Sequence, residues 1–383
     1  MFMSKEDPDK YYKRIRNALM LPKGNKDILR ILKFWFTPDE AKLVSIFKTA
    51  MMSSYPLDKI AKKIKEPEKK VKEMLERLAK KGLVFTWFNK KTNQTMYTIP
   101  MLFPGMFEWY FASENNEPEE LEKAAKIFKP LEDSFIAFAS NYPVSRVAPS
   151  IESIEKVIKI DEDVENKKSK ILLFEDVRKI LENSKKIAVM PCPCRTFHGI
   201  LGDSCGKPID VCINLNSSAD YVIREDIGRE LTIQEAIDTL RMAEKEGLVH
   251  VVNNQSDGHS FICNCCGCCC GFLGNANKFK LVDKMVAKSN FLPKIDRDEC
   301  ILCKTCIKKC PTNALFIQYG NKGDQSENYV YIRDDICIGC GICAANCPQD
   351  AIKMKKIGEI TEEDLESQIW KAGARSKSEQ LFK

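Results

Sequence analysis

The first 191 of the 383 residues contain neither cysteine nor histidine. Thiolate and imidazole are the ligands that zinc and iron–sulfur centres use, so this stretch cannot build such a site from its own side chains. All 18 cysteines and all three histidines lie between Cys192 and Cys347. Chemistry that needs these ligands is therefore confined to the second half of the chain.

Long apolar runs are also missing. The best candidate, residues 101–112 (MLFPGMFEWYFA), is shorter than the roughly 20 residues that span a bilayer, and it contains Glu108. The first 20 residues have no apolar core of the kind that a secretory signal needs. We therefore expect a cytoplasmic protein without a membrane span. In such a chain, abundant cysteine indicates metal binding or catalysis rather than disulfides.

Acidic residues are scarce in the first 100 positions, which hold 23 Lys and Arg against 11 Asp and Glu, a formal charge of +12. The whole chain sums to +6, so the remainder carries −6. A basic N-terminal segment indicates either a polyanionic or acidic partner, or Lys-rich helices with a solvated face. The charge balance leaves both interpretations open.

Residues 28–100 have the pattern of three helices followed by a β-hairpin. Thr37 and Glu40 form a capping box at the start of one helix, and residues 67–81 have the apolar spacing of another. Residues 83–99 alternate as a hairpin does. This order resembles the winged-helix domain of archaeal and bacterial transcription regulators.

The winged-helix resemblance implies binding of either DNA or a protein. In a DNA-binding domain of this type, the N-terminal residues of helix 67–81 would enter the major groove. Glu66, Glu68 and Glu73 lie at that end, beside three lysines. Carboxylates repel phosphates and fit few base edges, which favours a protein partner over DNA.

Two α/β segments flank a cysteine-rich region. Residues 171–191 predict a helix and then a strand that delivers Cys192 and Cys194 at its end. Residues 231–252 repeat helix and strand, with Thr232 as the predicted N-cap and Gly247 at the helix end. Such a framework can bring ligands together from distant parts of the chain.

The C-terminal region contains the spacing C-x2-C-x2-C-x3-C-P twice. The two motifs consist of Cys300, Cys303, Cys306, Cys310 and Pro311, and of Cys337, Cys340, Cys343, Cys347 and Pro348. This spacing is the bacterial ferredoxin motif for a [4Fe–4S] cluster. Zinc pairs usually come as two separated C-x2-C knuckles, so the Cys-Pro endings disfavour zinc. Residues 291–355 therefore resemble a two-cluster bacterial ferredoxin.

The ferredoxin resemblance implies that the fourth cysteine of each motif binds the other cluster. One ligand set is then Cys300, Cys303, Cys306 and Cys347, and the other is Cys337, Cys340, Cys343 and Cys310. The 26 residues between Cys310 and Cys337 exceed what a minimal ferredoxin needs. They predict a β-hairpin with a polar tip at 320–328.

Ten cysteines remain outside the two motifs, six of them in the stretch FICNCCGCCCGF, residues 261–272. We expect the ligands of one further centre among Cys192, Cys194, Cys205, Cys212, Cys263, Cys265, Cys266, Cys268 and Cys269. Because successive side chains diverge, the stretch should supply only two to four of them. Three interpretations stay open: a third iron–sulfur cluster, a structural zinc aided by His198 or His259, and a dithiol relay.

Together these patterns predict an α+β multidomain chain. A winged-helix-like domain is expected at 1–110, a small α/β Cys-rich middle domain at 111–290, a ferredoxin-like 2[4Fe–4S] domain at 291–356, and a charged C-terminal tail at 357–383. The combination resembles iron–sulfur proteins of anaerobic archaea and bacteria. That resemblance implies two [4Fe–4S] clusters and, in the middle domain, a third cluster or a zinc ion.

The function expected from these features is electron transfer rather than an independent enzyme activity. No dinucleotide fingerprint, P-loop or flavin motif occurs, so the chain should pass electrons on rather than accept hydride. The expected partner is a redox protein or an oxidoreductase subunit. The alternative is a redox-sensing regulator whose winged helix binds DNA.

Overall fold

The structure, a computed structural model, describes residues 9–139, 145–163, 175–255, 258–320 and 327–357. The helices are α1 (Lys10–Ala18), α2 (Lys26–Trp35), α3 (Pro38–Val44), α4 (Leu57–Ile64), α5 (Glu68–Lys80), α6 (Phe107–Ala112), α7 (Pro118–Ala139), α8 (Ile151–Asp163), α9 (Val177–Glu182), α10 (Pro193–Ile200), α11 (Asn216–Arg224), α12 (Ile233–Lys245), α13 (Leu273–Lys278), α14 (Val282–Met285), α15 (Thr305–Lys309) and α16 (Ile342–Ala345). The strands are β1 (Tyr55–Pro56), β2 (Phe85–Asn89), β3 (Gln94–Thr98), β4 (Ser145–Val147), β5 (Ile187–Pro191), β6 (Asp210–Leu215), β7 (Arg229–Glu230), β8 (Val249–Asn253), β9 (Phe261–Cys265), β10 (Phe291–Ile295), β11 (Leu315–Gln318), β12 (Tyr329–Ile332) and β13 (Ile352–Lys356).

This mixture of helix and sheet agrees with the predicted α+β class. The chain divides into two compact units. The first contains residues 1–135, 190–204 and 217–230, and the second contains residues 136–189, 205–216 and 231–383. None of the described helices is both long enough and apolar enough to cross a membrane. The four predicted domains stay predictions, and the tail beyond residue 357 lies outside the described residues.

The first unit contains the predicted run of helices and hairpin. Thr37 and Glu40 form the capping box of α3, with the Thr37 N–H donating to the Glu40 carboxylate over 2.8 Å. Helix α5 covers the predicted helix 67–81. Strands β2 and β3 pair antiparallel, from Phe85 opposite Thr98 to Asn89 opposite Gln94, and β1 pairs with β3. These element predictions are confirmed.

Aromatic side chains fill the core of the first unit. Phe107 lies 4.9 Å from both Phe111 and Phe128, measured between ring centroids, and 5.5 Å from Phe197 of α10. The apolar run at 101–112 is therefore explained by its place in a protein core. Aromatic rings that meet edge to face or tilted add to the stability that their burial supplies.

The second unit is built on a sheet whose strands β4, β8, β9, β6 and β5 are neighbours in that order. Strand β9 pairs antiparallel with β8 and with β6. Successive side chains of a strand point to opposite faces, which separates the residues of β9 into two sets. Ile262 packs in the core formed with α9 and α12, whereas Cys263 and Cys265 pack in the core on the other face.

The ferredoxin-like part of the second unit contains two antiparallel strand pairs and two short helices. Strand β10 pairs with β13, and β11 pairs with β12. The second pair confirms the predicted hairpin between the two motifs. Residues 321–326 of its predicted tip lie outside the described residues.

Candidate metal centres

The two ferredoxin-type cysteine motifs adopt the same backbone conformation. In each C-x2-C-x2-C loop, the residues before and after the middle cysteine have positive φ angles. These residues are Leu302 at +54° and Lys304 at +65° in one loop, and Gly339 at +68° and Gly341 at +74° in the other. A short helix begins one residue before the third cysteine of each loop, α15 in the first and α16 in the second. The repeated spacing therefore produces a repeated local structure.

Each loop borders a pocket lined by four cysteines. The cysteines of the first pocket are Cys300, Cys303, Cys306 and Cys347. The cysteines of the second pocket are Cys310, Cys337, Cys340 and Cys343. Each pocket takes three cysteines from one motif and the fourth from the other. The structure thus brings together the same two sets that the ferredoxin resemblance implies.

Burial and mutual proximity shape the electrostatics of both pockets. Burial raises the pKa of the Cys306 thiol to about 11, and the neighbouring Cys300 and Cys303 add to this effect. Burial likewise raises the pKa of Cys337 and of Cys343, with nearby thiols contributing again. A bound metal cation reverses this preference, because it stabilises the thiolate directly. Four converging thiols with apolar neighbours such as Ile352 are the donor set that a [4Fe–4S] cluster requires.

The two pockets differ in their exposure to solvent. Cys303 is exposed in the first pocket, whereas Cys337, Cys340 and Cys343 are all buried in the second. In the second pocket, the Ala314 N–H donates to the Cys310 sulfur over 3.2 Å. The first pocket is therefore the one that solvent and other molecules reach more easily.

Comparison with known families agrees with this geometry. Residues 299–351 match the sequence profile of the 4Fe-4S dicluster domain family. The family match and the cysteine groups support an iron–sulfur protein. The dicluster domain, as residues 299–351 are called from here on, contains all eight cysteines of the two pockets. No curated protein and no solved structure matches the chain.

Outside the dicluster domain, four sulfur atoms of the cysteine-rich region converge closely. These atoms, called here the compact thiol group, belong to Cys205, Cys266, Cys268 and Cys269. All four Sγ atoms lie within 4.8 Å of one another. Burial raises the pKa of Cys266 to about 11. Burial acts to raise the pKa of Cys205. Hydrogen bonds with the Lys207 backbone and with the other three thiols outweigh the effect of burial, so the pKa of Cys205 is lowered.

A second set of thiols lies around strand β9, with one member on β6 and one beyond the end of β9. This set, called here the strand thiol group, consists of Cys212, Cys263, Cys265 and Cys270. In this order, each thiol is in close contact with the next. Cys263 makes hydrogen bonds with Cys212 and Cys265, and the first of these, together with burial, raises its pKa. The Cys270 thiol lies 3.2 Å from the Cys265 sulfur.

The arrangement differs in two respects from what the sequence led us to expect. Residues 263–270 contribute three cysteines to each of two groups, instead of a few ligands to one centre. Neighbouring side chains also converge at one point, since the sulfurs of Cys268 and Cys269 are 3.8 Å apart. The reason is local: β9 ends at Cys265, and the turn that follows brings these two residues back to Cys266. Cys270, one of the ten remaining cysteines but not among the expected ligands, lies in the strand thiol group.

Cys192 and Cys194 belong to the first unit, at the start of α10, and their role as ligands stays a prediction. His198, considered above for a zinc site, has its Nε2 3.1 Å from a carboxylate oxygen of Glu132. Burial acts against ionisation of Glu132, but hydrogen bonds from His198 and Lys129 lower its pKa to about 2. This pair joins α10 to α7 within the first unit.

His250 is buried in the second unit and links the sheet to α12. Its Nε2 lies 2.8 Å from Glu244, and its Nδ1 lies 2.6 Å from the amide oxygen of Asn264. The Asn264 amide nitrogen donates to the Val211 carbonyl over 2.6 Å, which fixes the orientation of the amide. Asn264 lies between Cys263 and Cys265, so these bonds hold the strand from the face opposite to its thiols.

Proposed function

We propose that the protein transfers electrons and carries two [4Fe–4S] clusters in its dicluster domain. The ligand sets are Cys300, Cys303, Cys306 and Cys347 for one cluster, and Cys337, Cys340, Cys343 and Cys310 for the other. The observation that supports this most directly is the pair of four-cysteine pockets, each drawn from both motifs. We further propose that the cysteine-rich region holds an additional metal or cluster site.

The residues of the dicluster domain would control access and charge at the clusters. When bound, a [4Fe–4S] cluster accepts and releases one electron at a potential set by its surroundings. The Ala314 N–H directed at Cys310 stabilises negative charge on that sulfur. The buried Ile338 and Ile342 exclude water beside the second pocket. The buried and exposed pockets should therefore differ in potential and in access.

We propose that a redox partner, either a separate protein or an oxidoreductase subunit, docks at the exposed end of the first pocket. Cys303 is exposed there, and Ile301 beside it is 61% exposed. Lys304 and Lys308 are exposed on the same loop and helix. An apolar side chain flanked by cations favours a partner with an acidic rim around an apolar centre.

For the N-terminal region we propose a winged-helix-like domain that docks to protein. At the leading end of α5, Lys70 forms ion pairs with Glu66 at 3.2 Å and with Asp39 at 3.6 Å. Carboxylates around this lysine reduce its attraction for phosphate. The alternative, a redox-sensing regulator, predicts a gel shift with random DNA whose affinity falls steeply with salt. No shift at low salt is the result expected here.

Metal analysis of protein purified without oxygen tests the main proposal. We expect about eight iron and about eight acid-labile sulfide from the two clusters, as two four-iron centres require. Cys340→Ser should lose roughly half of this content, whereas Glu119→Gln, at an exposed position of α7, should retain it. Iron without acid-labile sulfide, or full content in C340S, would overturn the assignment. Full reduction should also give the spin-coupled electron paramagnetic resonance signal of two neighbouring clusters.

A further inference from the structure

We propose that the compact thiol group, Cys205, Cys266, Cys268 and Cys269, binds one mononuclear divalent metal ion, zinc or iron, in tetrahedral coordination. This site would be separate from the two clusters of the dicluster domain and would contain no sulfide. It makes the additional site of the proposed function specific in its ligands and its metal class.

The separation of the sulfur atoms fits one metal ion. Four thiolates bound at about 2.3 Å to a tetrahedral centre lie about 3.8 Å from one another. The Cys268 and Cys269 sulfurs are 3.8 Å apart, and all four Sγ atoms lie within 4.8 Å of each other. In a four-iron cluster each cysteine binds a different iron, so the sulfurs must stand further apart. The compact thiol group would have to open to accept such a cluster.

The local backbone also has the form of a metal-binding turn. The Cys269 N–H donates to the Cys266 sulfur over 3.2 Å, a bond that stabilises the thiolate form of Cys266. The apolar side chains of Val211, Ala243 and Leu248 back the group on its inner side. Cys268 is exposed and leaves an entry path from solvent. Such a site is closed on one side and accessible on the other.

The donor set determines the class of metal. Four thiolates without carboxylate or water ligands select soft or borderline ions, and tetrahedral sulfur coordination indicates zinc or iron. Magnesium and calcium prefer oxygen ligands and do not fit. Zinc and iron share this ligand chemistry, and they are distinguished by the colour of the protein and by elemental analysis.

The metal would stabilise the turn at residues 266–269, which contacts the dicluster domain. The Asn277 amide nitrogen donates to the Gly267 carbonyl over 2.8 Å and to the Pro311 carbonyl over 2.7 Å. A Cβ atom on Gly267 would lie only 2.0 Å from the Pro311 oxygen, so the two backbones are in direct contact. Pro311 follows Cys310 in the chain. The ion would thus fasten the cysteine-rich turn beside a cysteine of the second pocket.

Metal analysis and X-ray absorption of the full-length protein, purified without oxygen, test the site. We expect one zinc, or one iron in excess of sulfide, with four sulfur neighbours at about 2.3 Å. If the ion is zinc, its sulfur neighbours are measured by X-ray absorption at the zinc absorption edge. If the ion is iron, replacement by cobalt should give the intense visible bands of tetrahedral cobalt thiolate. Four equivalents of both iron and sulfide beyond the eight of the dicluster domain would overturn the mononuclear site, as would no extra metal.

Single substitutions identify the ligands. Cys268→Ser should weaken retention of the ion against a chelator by at least about tenfold, since changing even an outer-shell partner of a metal ligand typically costs about that much. Cys263→Ser, in the same segment but in the strand thiol group, should leave retention unchanged. Equal loss in both variants, or no loss in C268S, would contradict the assignment. The iron and sulfide of the dicluster domain should persist in C268S, which shows that the chain is folded and separates this test from that of the clusters.

Discussion

Leu302 and Lys304 adopt the same left-handed backbone conformation as Gly339 and Gly341 in the second motif. A side chain is tolerated at the first two positions because both side chains have access to solvent. At Gly341 the space is taken, since a Cβ atom would lie 2.3 Å from the Ser153 hydroxyl and 2.8 Å from that of Ser150. The choice between glycine and lysine at equivalent positions therefore follows from packing, not from the motif.

Gly341→Ala should remove the cluster that we propose for the second pocket. The variant combines a strained backbone, at a cost of about 1 kcal/mol, with a steric conflict beside Cys340. Lys304→Ala at the equivalent position of the first loop is the matched control. We expect G341A to retain about half of the wild-type iron and acid-labile sulfide, and K304A to retain all of it. Equal iron content in the two variants would show that the pockets tolerate the loop change.

At the scale of elements, the end of strand β9 organises the cysteine-rich region. Alternation along the strand places Cys263 and Cys265 on one face, and the turn after Cys265 carries Cys266, Cys268 and Cys269 to a separate group. Helices α7 and α10 are likewise held together by a side-chain contact between distant parts of the chain. The Glu132 carboxylate of α7 binds His198 of α10 and Lys129 of its own helix.

The Glu132 pair makes the stability of the first unit depend on pH. The pKa of Glu132 is lowered to about 2 from its ordinary value of 4.5, because hydrogen bonds from His198 and Lys129 outweigh its burial. Its contribution is therefore full above about pH 4.5 and is lost as the pH falls through about 2. After allowance for solvent screening, we expect Glu132→Gln to cost about 1–2 kcal/mol at pH 5 and little at pH 2.

Fluorescence during urea unfolding measures this effect, because the Trp35 ring lies 6.2 Å from Phe128 of α7. Glu119→Gln is the control, since the same substitution is made on the same helix at an exposed position. E119Q should match wild type throughout. A cost in E132Q that stays constant from pH 5 to pH 2 would rule out the ionised carboxylate as its source.

At the scale of the molecule, the dicluster domain presents two sites of unequal protection. Cys303 is exposed and Cys300 and Cys347 are half-buried, whereas three of the four cysteines in the second pocket are buried. Electron exchange with partners should begin at the exposed site. The same asymmetry should govern attack by oxidants.

Controlled exposure to air should remove iron in two phases of similar amplitude. The faster phase belongs to the pocket of Cys303, because water and oxygen reach it directly. The loss of visible cluster absorbance and the release of iron measure the rates of the two phases. We expect these rates to differ by about tenfold or more. In Gly341→Ala only the faster phase should remain. A single phase in wild type, or survival of only the slower phase in G341A, would contradict the assignment of the phases.

Sequence alone was sufficient where chemistry depends on local spacing. The two C-x2-C-x2-C-x3-C-P motifs predicted the cysteine sets that line the two pockets, and the capping box at Thr37 and Glu40 predicted the start of α3. The cysteine sets follow from the ferredoxin resemblance that the two motifs carry, and the capping box follows from bonding within a few residues. The hairpin of β11 and β12 was predictable for the same reason.

The division of the cysteine-rich stretch between two groups depends on contacts between distant parts of the chain. The stretch contains three C-x2-C pairs, and of these only the last falls in one group: Cys263 and Cys266, Cys265 and Cys268, and Cys266 and Cys269. The division depends on where β9 ends and on which distant cysteine, Cys205 or Cys212, approaches each side. Those positions are set by long-range packing of the sheet against its helices, which no local pattern encodes. The partners of His198 and His250 were decided in the same way.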